Sequence, residues 1–291
     1  MLAALRVELT KFYRSYATYI GPVLLLGLVG LIVYGSAKSI KHTERQFKRE
    51  IREQLGDDFI VTGKVVSAVS VPRLILAVKF PMFVFVSALV AMAAGSTIAS
   101  EYRTGTLRTL LSRPVRRGYV VIAKWLVNSF HALSITMFLG AIGLGLGYVF
   151  LGGGDLVFLG MGETFQFQIV PEWKAIKGLA FAYLLQGVAM AGVVSLALCI
   201  SCLTSRSTVA AGVTVSFMLI CGMIDLLALR LESLQPLTPY LLTTHMATFE
   251  HVLDDVPDWA DIRNSAFWVA GYIIVPLAGA VAIMRRKEIK C

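Results

Sequence analysis

The stretch SEYRTGTLRTLLSRPVRRGYVVIAKW, residues 100–125, decides how this chain folds, because it is a short basic segment between two long apolar runs. From Glu101 to Arg117 it carries five arginines against one carboxylate. Its leucines recur at helical spacing, at positions 107, 110 and 111. This spacing predicts an amphipathic helix with one apolar face.

The composition identifies a polytopic membrane protein. Hydrophobic residues make up 57% of the chain and charged residues only 15%, and the mean hydropathy is +0.74. A soluble domain has about half apolar and a quarter charged residues. Much of the net charge of +9 lies beside apolar runs, where lysine and arginine set membrane topology. The charge therefore does not indicate nucleic-acid binding.

The apolar runs predict an all-α fold with six membrane-spanning helices, since a span needs about 20 mostly apolar residues. The predicted spans are 17–37, 81–99, 119–150, 177–203, 207–229 and 265–284. An apolar stripe in residues 1–16, with Arg6, Lys11 and Arg14 outside it, predicts a helix lying on the membrane surface. The predicted amphipathic helix, 101–113, follows the second span. It is a natural docking point for a soluble partner.

The distribution of basic residues predicts that both termini are cytoplasmic. One side holds the N-terminus, the 101–117 segment, Arg206 and the C-terminus, with thirteen basic residues against three carboxylates. The other side holds predicted loops at 38–72, 151–176 and 230–264. The last of these is acidic, and its mixed apolar and polar sequence predicts short helices. The first carries KSIKHTERQFKREIREQLG, a pattern that predicts a solvated helix or a docking surface for an extracytoplasmic protein.

The chain lacks the motifs of several enzyme classes. No GxxxxGK[ST] phosphate loop occurs, so ATP cannot be bound by that route. There is no HExxH motif, and the four histidines are scattered, which we interpret as surface residues. The glycines of GAIGLGLG, residues 140–147, match the small-xxx-small pattern at Gly143 and Gly147 and predict close helix packing. No catalytic, cofactor-binding or metal-binding residue is predicted.

Four polar residues in or beside the apolar runs are candidates for a transport pathway: Lys79, Asn128, His131 and Asp225. Ionisable groups within a span are costly and commonly functional. Each also has a structural alternative. Lys79 would merely flank a span that begins at Pro81, Asn128 and His131 would bond across helices, and Asp225 would be paired.

The sequence GSTIASEYRTGTLRTLLSRPVRRGYVVIAK, residues 95–124, resembles the ABC-2 type permeases of ATP-binding cassette transporters. The family signature has a glutamate shortly before Gly-Thr-Leu, a leucine-rich turn, a Pro-Val segment and a lysine opening the third span. The matching positions here are Glu101, Gly105, Thr106, Leu107, Leu110, Leu111, Pro114, Val115, Arg116 and Lys124. Arg116 departs from the serine of many members.

The resemblance implies a dimeric permease that works with two copies of a separate ATPase, which holds the ATP and Mg²⁺. The second permease would be a copy or a homologue, and the location the inner or plasma membrane. Residues 101–113 would be a coupling helix seated in the ATPase. Leu107, Leu110 and Leu111 would anchor it, and Arg103 and Arg108 would make polar contacts. Glu101 would hold the helix against a nearby arginine.

The implied activity is export of a substrate, or transmission of ATP-driven motion to an extracytoplasmic partner, with lipids as further contacts. Two alternatives stay open at this point. A membrane scaffold would have no energised partner. An intramembrane enzyme would lose its activity on changes at Asp225 or His131.

Overall fold

The computed structural model describes residues 8–11, 19–31, 33–35, 67–77, 85–106, 117–161, 165–253 and 258–286, with only the backbone of 157–161, 165–169 and 250. Its longer elements, in chain order, are α1 (Tyr19–Gly35, residue 32 excepted), α2 (Ser70–Ala77), α3 (Ser87–Arg103), α4 (Arg117–Phe150), β1 (Leu156–Met161), β2 (Phe165–Val170), α5 (Glu172–Leu203), α6 (Ser207–Ala228), α7 (Leu242–Thr248) and α8 (Trp259–Arg286). Residues 8–11 are also helical. The all-α membrane fold is confirmed.

Four helices in the described part of the chain are long and apolar enough to cross a membrane: α4, α5, α6 and α8. The helices α1 and α3 lie at the first and second predicted spans, but α3 has only 17 residues. The count of six spans therefore stays a prediction. Large apolar side chains on α8 point away from the bundle, with Phe267 76% and Val275 72% exposed, as expected of a surface that faces lipid.

The connections hold more regular structure than the sequence indicated. Within 151–176, which was predicted as a loop, β1 and β2 form an antiparallel hairpin that pairs Leu156 with Val170 and Met161 with Phe165. Within 230–264, the predicted short helices are confirmed as α7 and two 3₁₀ helices, Glu232–Tyr240 and Phe249–Leu253.

The helices α5 and α8 begin at Glu172 and Trp259, well before their predicted spans, and the first turn of each is capped. The Glu172 amide donates to Oδ1 of Asp155 at 3.1 Å, which satisfies one free N–H of α5. Asp258 accepts from the amides of Ala260 and Asp261 at 2.9 and 3.3 Å, so it caps α8. Hydropathy does not detect these turns, since they are too polar to count as part of a span.

The core is centred on α5, which packs against α3, α4 and α8. The middle of α5 is the most buried of the candidate spans, with 67% of its apolar window inside the bundle. Small residues such as Ala189, Ala197 and Gly192 lie in this region. They allow neighbouring helices to approach closely where no water drives association.

The glycine pattern of α4 is confirmed as a packing surface against α2 and the residues just before it. A Cβ on Gly143 would lie 3.0 Å from Cδ1 of Ile75. A Cβ on Gly147 would lie 2.9 Å from Cα and 3.0 Å from the carbonyl carbon of Ala68. The backbone N–H of Ala68 also donates to the carbonyl of Gly152 at 3.0 Å. This hydrogen bond holds Ala68 in place beside Gly147.

Replacing Gly147 by leucine is expected to lower the thermal stability of the purified chain clearly, by an overpacking cost of about 1–3 kcal/mol or more. The clash is with backbone, which cannot rotate away. Gly145→Leu is the matched control, because nothing lies within 4 Å of a Cβ at that position. Both changes gain the same helix propensity, so the difference between their melting temperatures measures the clash. Equal melting temperatures would contradict the packing seen here.

Candidate coupling site and the cleft beside it

The segment predicted as a coupling helix is interrupted at its start. Glu101 and Arg103 belong to the last turn of α3, which ends with Thr104 as its cap. Gly105 follows with φ of 74°, the left-handed conformation that glycine supplies at helix ends. Thr106 is helical again. The predicted helix 101–113 is therefore not continuous, because the chain turns at Gly105 after the end of α3, and the remainder of the predicted helix lies outside the described residues.

The turn at 104–106 is held by its hydroxyl groups. The Thr104 hydroxyl donates to the carbonyl of Ser100 at 3.0 Å and lies 3.0 Å from the hydroxyl of Thr106. The Thr106 hydroxyl reaches the carbonyl of Glu101 at 3.4 Å. Arg103, Gly105 and Thr106 are exposed. The turn is thus ordered by its own chain and presents its surface outward.

Four charged side chains meet beside this turn, and we call them the charge cluster: Glu8, Lys11, Glu101 and Lys124. Nζ of Lys124 lies 2.9 Å from Oε1 of Glu101 and 3.1 Å from Oε2 of Glu8. Nζ of Lys11 lies 3.0 Å from Oε1 of Glu101 and 3.6 Å from Oε1 of Glu8. The cluster joins the segment at 8–11, the end of α3 and the start of α4.

Burial makes this cluster different from a surface ion pair. The side chain of Lys124 is 1% exposed, and those of Glu8 and Glu101 are 11% and 14% exposed. A buried charge is tolerated only when it is paired and hydrogen-bonded. Lys124 meets this condition, since its third contact is the carbonyl oxygen of Thr97 at 3.4 Å.

Lys11 closes the cluster on the outside. Burial by itself would lower the pKa of Lys11, but the hydrogen bond to Glu101 and the charge of Glu8 outweigh it and raise the pKa above the usual 10.5. Lys11 therefore stays charged at physiological pH, and the four formal charges balance to zero.

A cavity of about 550 Å³ lies next to the charge cluster, and we call it the inner cleft. Its charged end contains all four members of the cluster. Its walls come from α1, α3 and α4, with Leu24, Met92 and Ile135 among the apolar residues. Leu24 and Met92 are 60% and 61% exposed, so the cleft opens on the outside of the bundle.

Two of the predicted pathway residues line this cleft, Asn128 and His131. Asn128 is buried, and its Nδ2 donates to the carbonyl of Lys124 at 2.8 Å. His131 is also buried, at 8% exposure. The structure therefore brings Asn128 and His131 together with Glu101. The predicted pathway residue Lys79 lies outside the described residues. The same holds for five residues of the predicted coupling interface: Leu107, Arg108, Leu110, Leu111 and Pro114.

Asp225 lies elsewhere and has the paired role that the sequence left open. It is on α6 and accepts hydrogen bonds from the hydroxyls of Thr243 and Thr244 on α7. These hydrogen bonds hold α7 against the end of α6. Asp225 does not line the inner cleft.

The interpretation of all four histidines as surface residues was wrong. His245 is 5% exposed and stacks on Trp268 with ring centroids 5.6 Å apart. Its Nε2 lies 2.9 Å from the carbonyl of Pro239, and its Nδ1 lies 3.2 Å from the hydroxyl of Ser265. Burial lowers the pKa of His245 despite that carbonyl and the charge of Asp225. His245 is therefore a packed residue that joins α7 to α8.

Sequence reasoning missed Glu8 and Lys11 as site residues and gave Glu101 an arginine partner. Among the described residues the partners of Glu101 are lysines. The sequence did contain a signal for this cluster, because a lysine inside an apolar run, such as Lys124, needs a carboxylate partner. Glu8 and Lys11 also lie three residues apart, which places them on one face of a helix.

The comparisons agree with this architecture. A comparison with curated proteins gave no match. The family model for the ABC-2 family transporter protein matches residues 3–289, nearly the whole chain. Such permeases are transmembrane subunits that generally pair with an ABC ATPase and are not catalytic themselves. The chain therefore belongs to the ABC-2 family of transporter proteins and is a multi-pass membrane permease subunit of an ABC transporter.

Proposed function

We propose that this chain dimerises and couples ATP hydrolysis by a separate nucleotide-binding subunit to export of a substrate, or to motion passed to an extracytoplasmic partner. The second permease is a copy or a homologue. Two ATPase copies bind the dimer and hold ATP and Mg²⁺. The membrane is the inner or plasma membrane, and both termini are cytoplasmic.

The charge cluster is the observation that carries this proposal. Glu101 lies five residues before Thr106, where the chain becomes helical again, and Lys124 lies on the helix that follows the connection. Ion pairs of 2.9–3.1 Å join Lys124 to Glu101 and Glu8. A force applied to the segment between α3 and α4 is therefore transmitted to both helices and to the segment at 8–11.

Such a unit suits a coupling role because rigid, packed elements transmit movement as a body. The exposed Arg103 and Thr106 at the turn would face the ATPase. Leu107, Leu110 and Leu111 would enter its groove, with Arg108 as a polar contact and Pro114 ending the contact region. Asn128 and His131 would lie on the path by which movement or substrate passes into the membrane. Lys79 would lie near its outer end, and Asp225 would support the outer helices.

Gentle extraction of the full chain with identification of what co-purifies tests the proposal. We expect a stoichiometric soluble chain that carries a phosphate loop, and ATP hydrolysis by the assembly. A chain that comes out alone, without hydrolysis, from a preparation that keeps other membrane complexes intact would favour a non-energised scaffold.

A further inference from the structure

Two residues that line the inner cleft each carry a buried hydrogen-bond acceptor that has no donor in the described part of the chain. These acceptors are Oε2 of Glu101 and Oδ1 of Asn128. Asn128 is 2% exposed. Its orientation is fixed, because its Nδ2 donates to the Lys124 carbonyl at 2.8 Å. A buried polar group without a partner costs about 1–3 kcal/mol, so two on residues that line one cavity call for an explanation.

The donors of Lys124 and of three nearby hydroxyls are already used. The three contacts of Nζ of Lys124 are Glu8, Glu101 Oε1 and Thr97 O, which matches its three protons. The hydroxyls of Ser96, Thr97 and Ser100 each donate to a carbonyl of α3. The charge cluster is neutral as a whole, so no further counter-ion is required. Apart from Lys11, whose side chain is 52% exposed, the donors named here leave Oε2 of Glu101 and Oδ1 of Asn128 without a partner.

The remainder of the cleft suits an apolar chain. Ile20, Leu24 and Met92 are each more than half exposed and lie on its open side. Leu89 and Ile135 continue the apolar surface inward. Lys11, which is 52% exposed, lies at the charged end and retains a proton for an anionic group.

We propose that the inner cleft binds an amphiphile whose headgroup carries a primary ammonium, such as an aminophospholipid. The ammonium donates to Glu101 Oε2 and Asn128 Oδ1, and a phosphate next to it accepts from Lys11. A zwitterionic headgroup keeps the cleft neutral. Binding depends only on this chain and not on the coupling role proposed above.

Two phospholipids with identical acyl chains provide the test. Phosphatidylethanolamine has three N–H donors, whereas the quaternary ammonium of phosphatidylcholine has none. Binding of short-chain forms of each to the delipidated full chain is measured by native mass spectrometry and by thermal shift. We expect a preference of about tenfold or more for phosphatidylethanolamine, as one or two hydrogen bonds to a charged donor would give.

Two variants locate the effect. Asn128→Leu keeps the side-chain volume and removes one acceptor, so the preference should fall severalfold. Thr136→Val is the matched control, because Thr136 is a buried polar residue on α4 that bonds its own helix and does not line the cleft. Equal binding of both lipids to the wild type, as expected if water fills the cleft, would overturn the proposal. A preference that survives Asn128→Leu unchanged would also overturn it.

The same chemistry has two sources, a resident membrane lipid and a transported amine. Labelled phosphatidylethanolamine in vesicles with the assembled transporter separates them. Lipid that stays bound, one per chain, through ATP turnover supports a resident role. Lipid that leaves the cleft or changes leaflet with turnover supports a transported one. Failure of ATPase coupling would leave the binding result intact.

Discussion

Replacing Lys124 by methionine is expected to destabilise the chain by about 3–5 kcal/mol, the usual cost of removing one partner from a buried ion pair. Methionine fills a similar volume but leaves Glu8 and Glu101 facing each other, with only the half-exposed Lys11 to neutralise them. The measurement is the unfolding of the purified chain in mild detergent, followed by heat and by denaturant.

Lys11→Met is the matched control, since it removes the same charge from the same carboxylates. The Lys11 side chain is 52% exposed and that of Lys124 is 1% exposed. An exposed ion pair contributes about 1 kcal/mol or less, so the loss should be much smaller. Similar losses in both variants would show that Lys124 is not buried as described.

A double variant tests whether the cluster acts as a unit. Lys124→Met combined with Glu101→Gln restores a neutral balance, with Glu8 and Lys11 as the remaining charges. The double variant should therefore be less destabilised than the sum of the two single variants. Coupling of this kind is expected only between groups in contact. Simple additivity would contradict a shared network.

Replacing Leu110 by aspartate is expected to lower the affinity for the ATPase subunit by about 30-fold or more. This corresponds to at least 2 kcal/mol, the loss typical of an anchor residue at an interface centre, because a carboxylate would be buried in an apolar groove. The measurements are the amount of ATPase that co-purifies and the rate of ATP hydrolysis.

Thr109→Asp is the control for this variant. It adds the same charge one position away, and on a helix it lies opposite the stripe of leucines at 107, 110 and 111. Acidic residues contribute little to membrane orientation, so neither variant should change the topology. Unchanged association in Leu110→Asp, or equal loss in both variants, would remove the coupling role of the leucine stripe.

The inner cleft shows what could not be predicted locally. Asn128 and His131 were predicted as polar residues facing a lumen or another helix, and they do line one cavity. Asp225 had the same apparent status in the sequence, yet it binds Thr243 and Thr244 at another place. The difference depends on which neighbouring helix each residue meets, and neither hydropathy nor spacing contains that information.

The sequence by itself determined the membrane-spanning helical class, the basic connection between α3 and α4, and the close packing of Gly143 and Gly147. Each follows from local properties, because the free energy of transfer into lipid sums over adjacent residues and helix faces repeat with a fixed period. Only the tertiary structure decided the charge cluster. Lys124 and Glu8 are 116 positions apart, and Lys11 and Glu101 are 90 apart. Such pairs form where helices meet, and that geometry is set by the packing of the whole bundle.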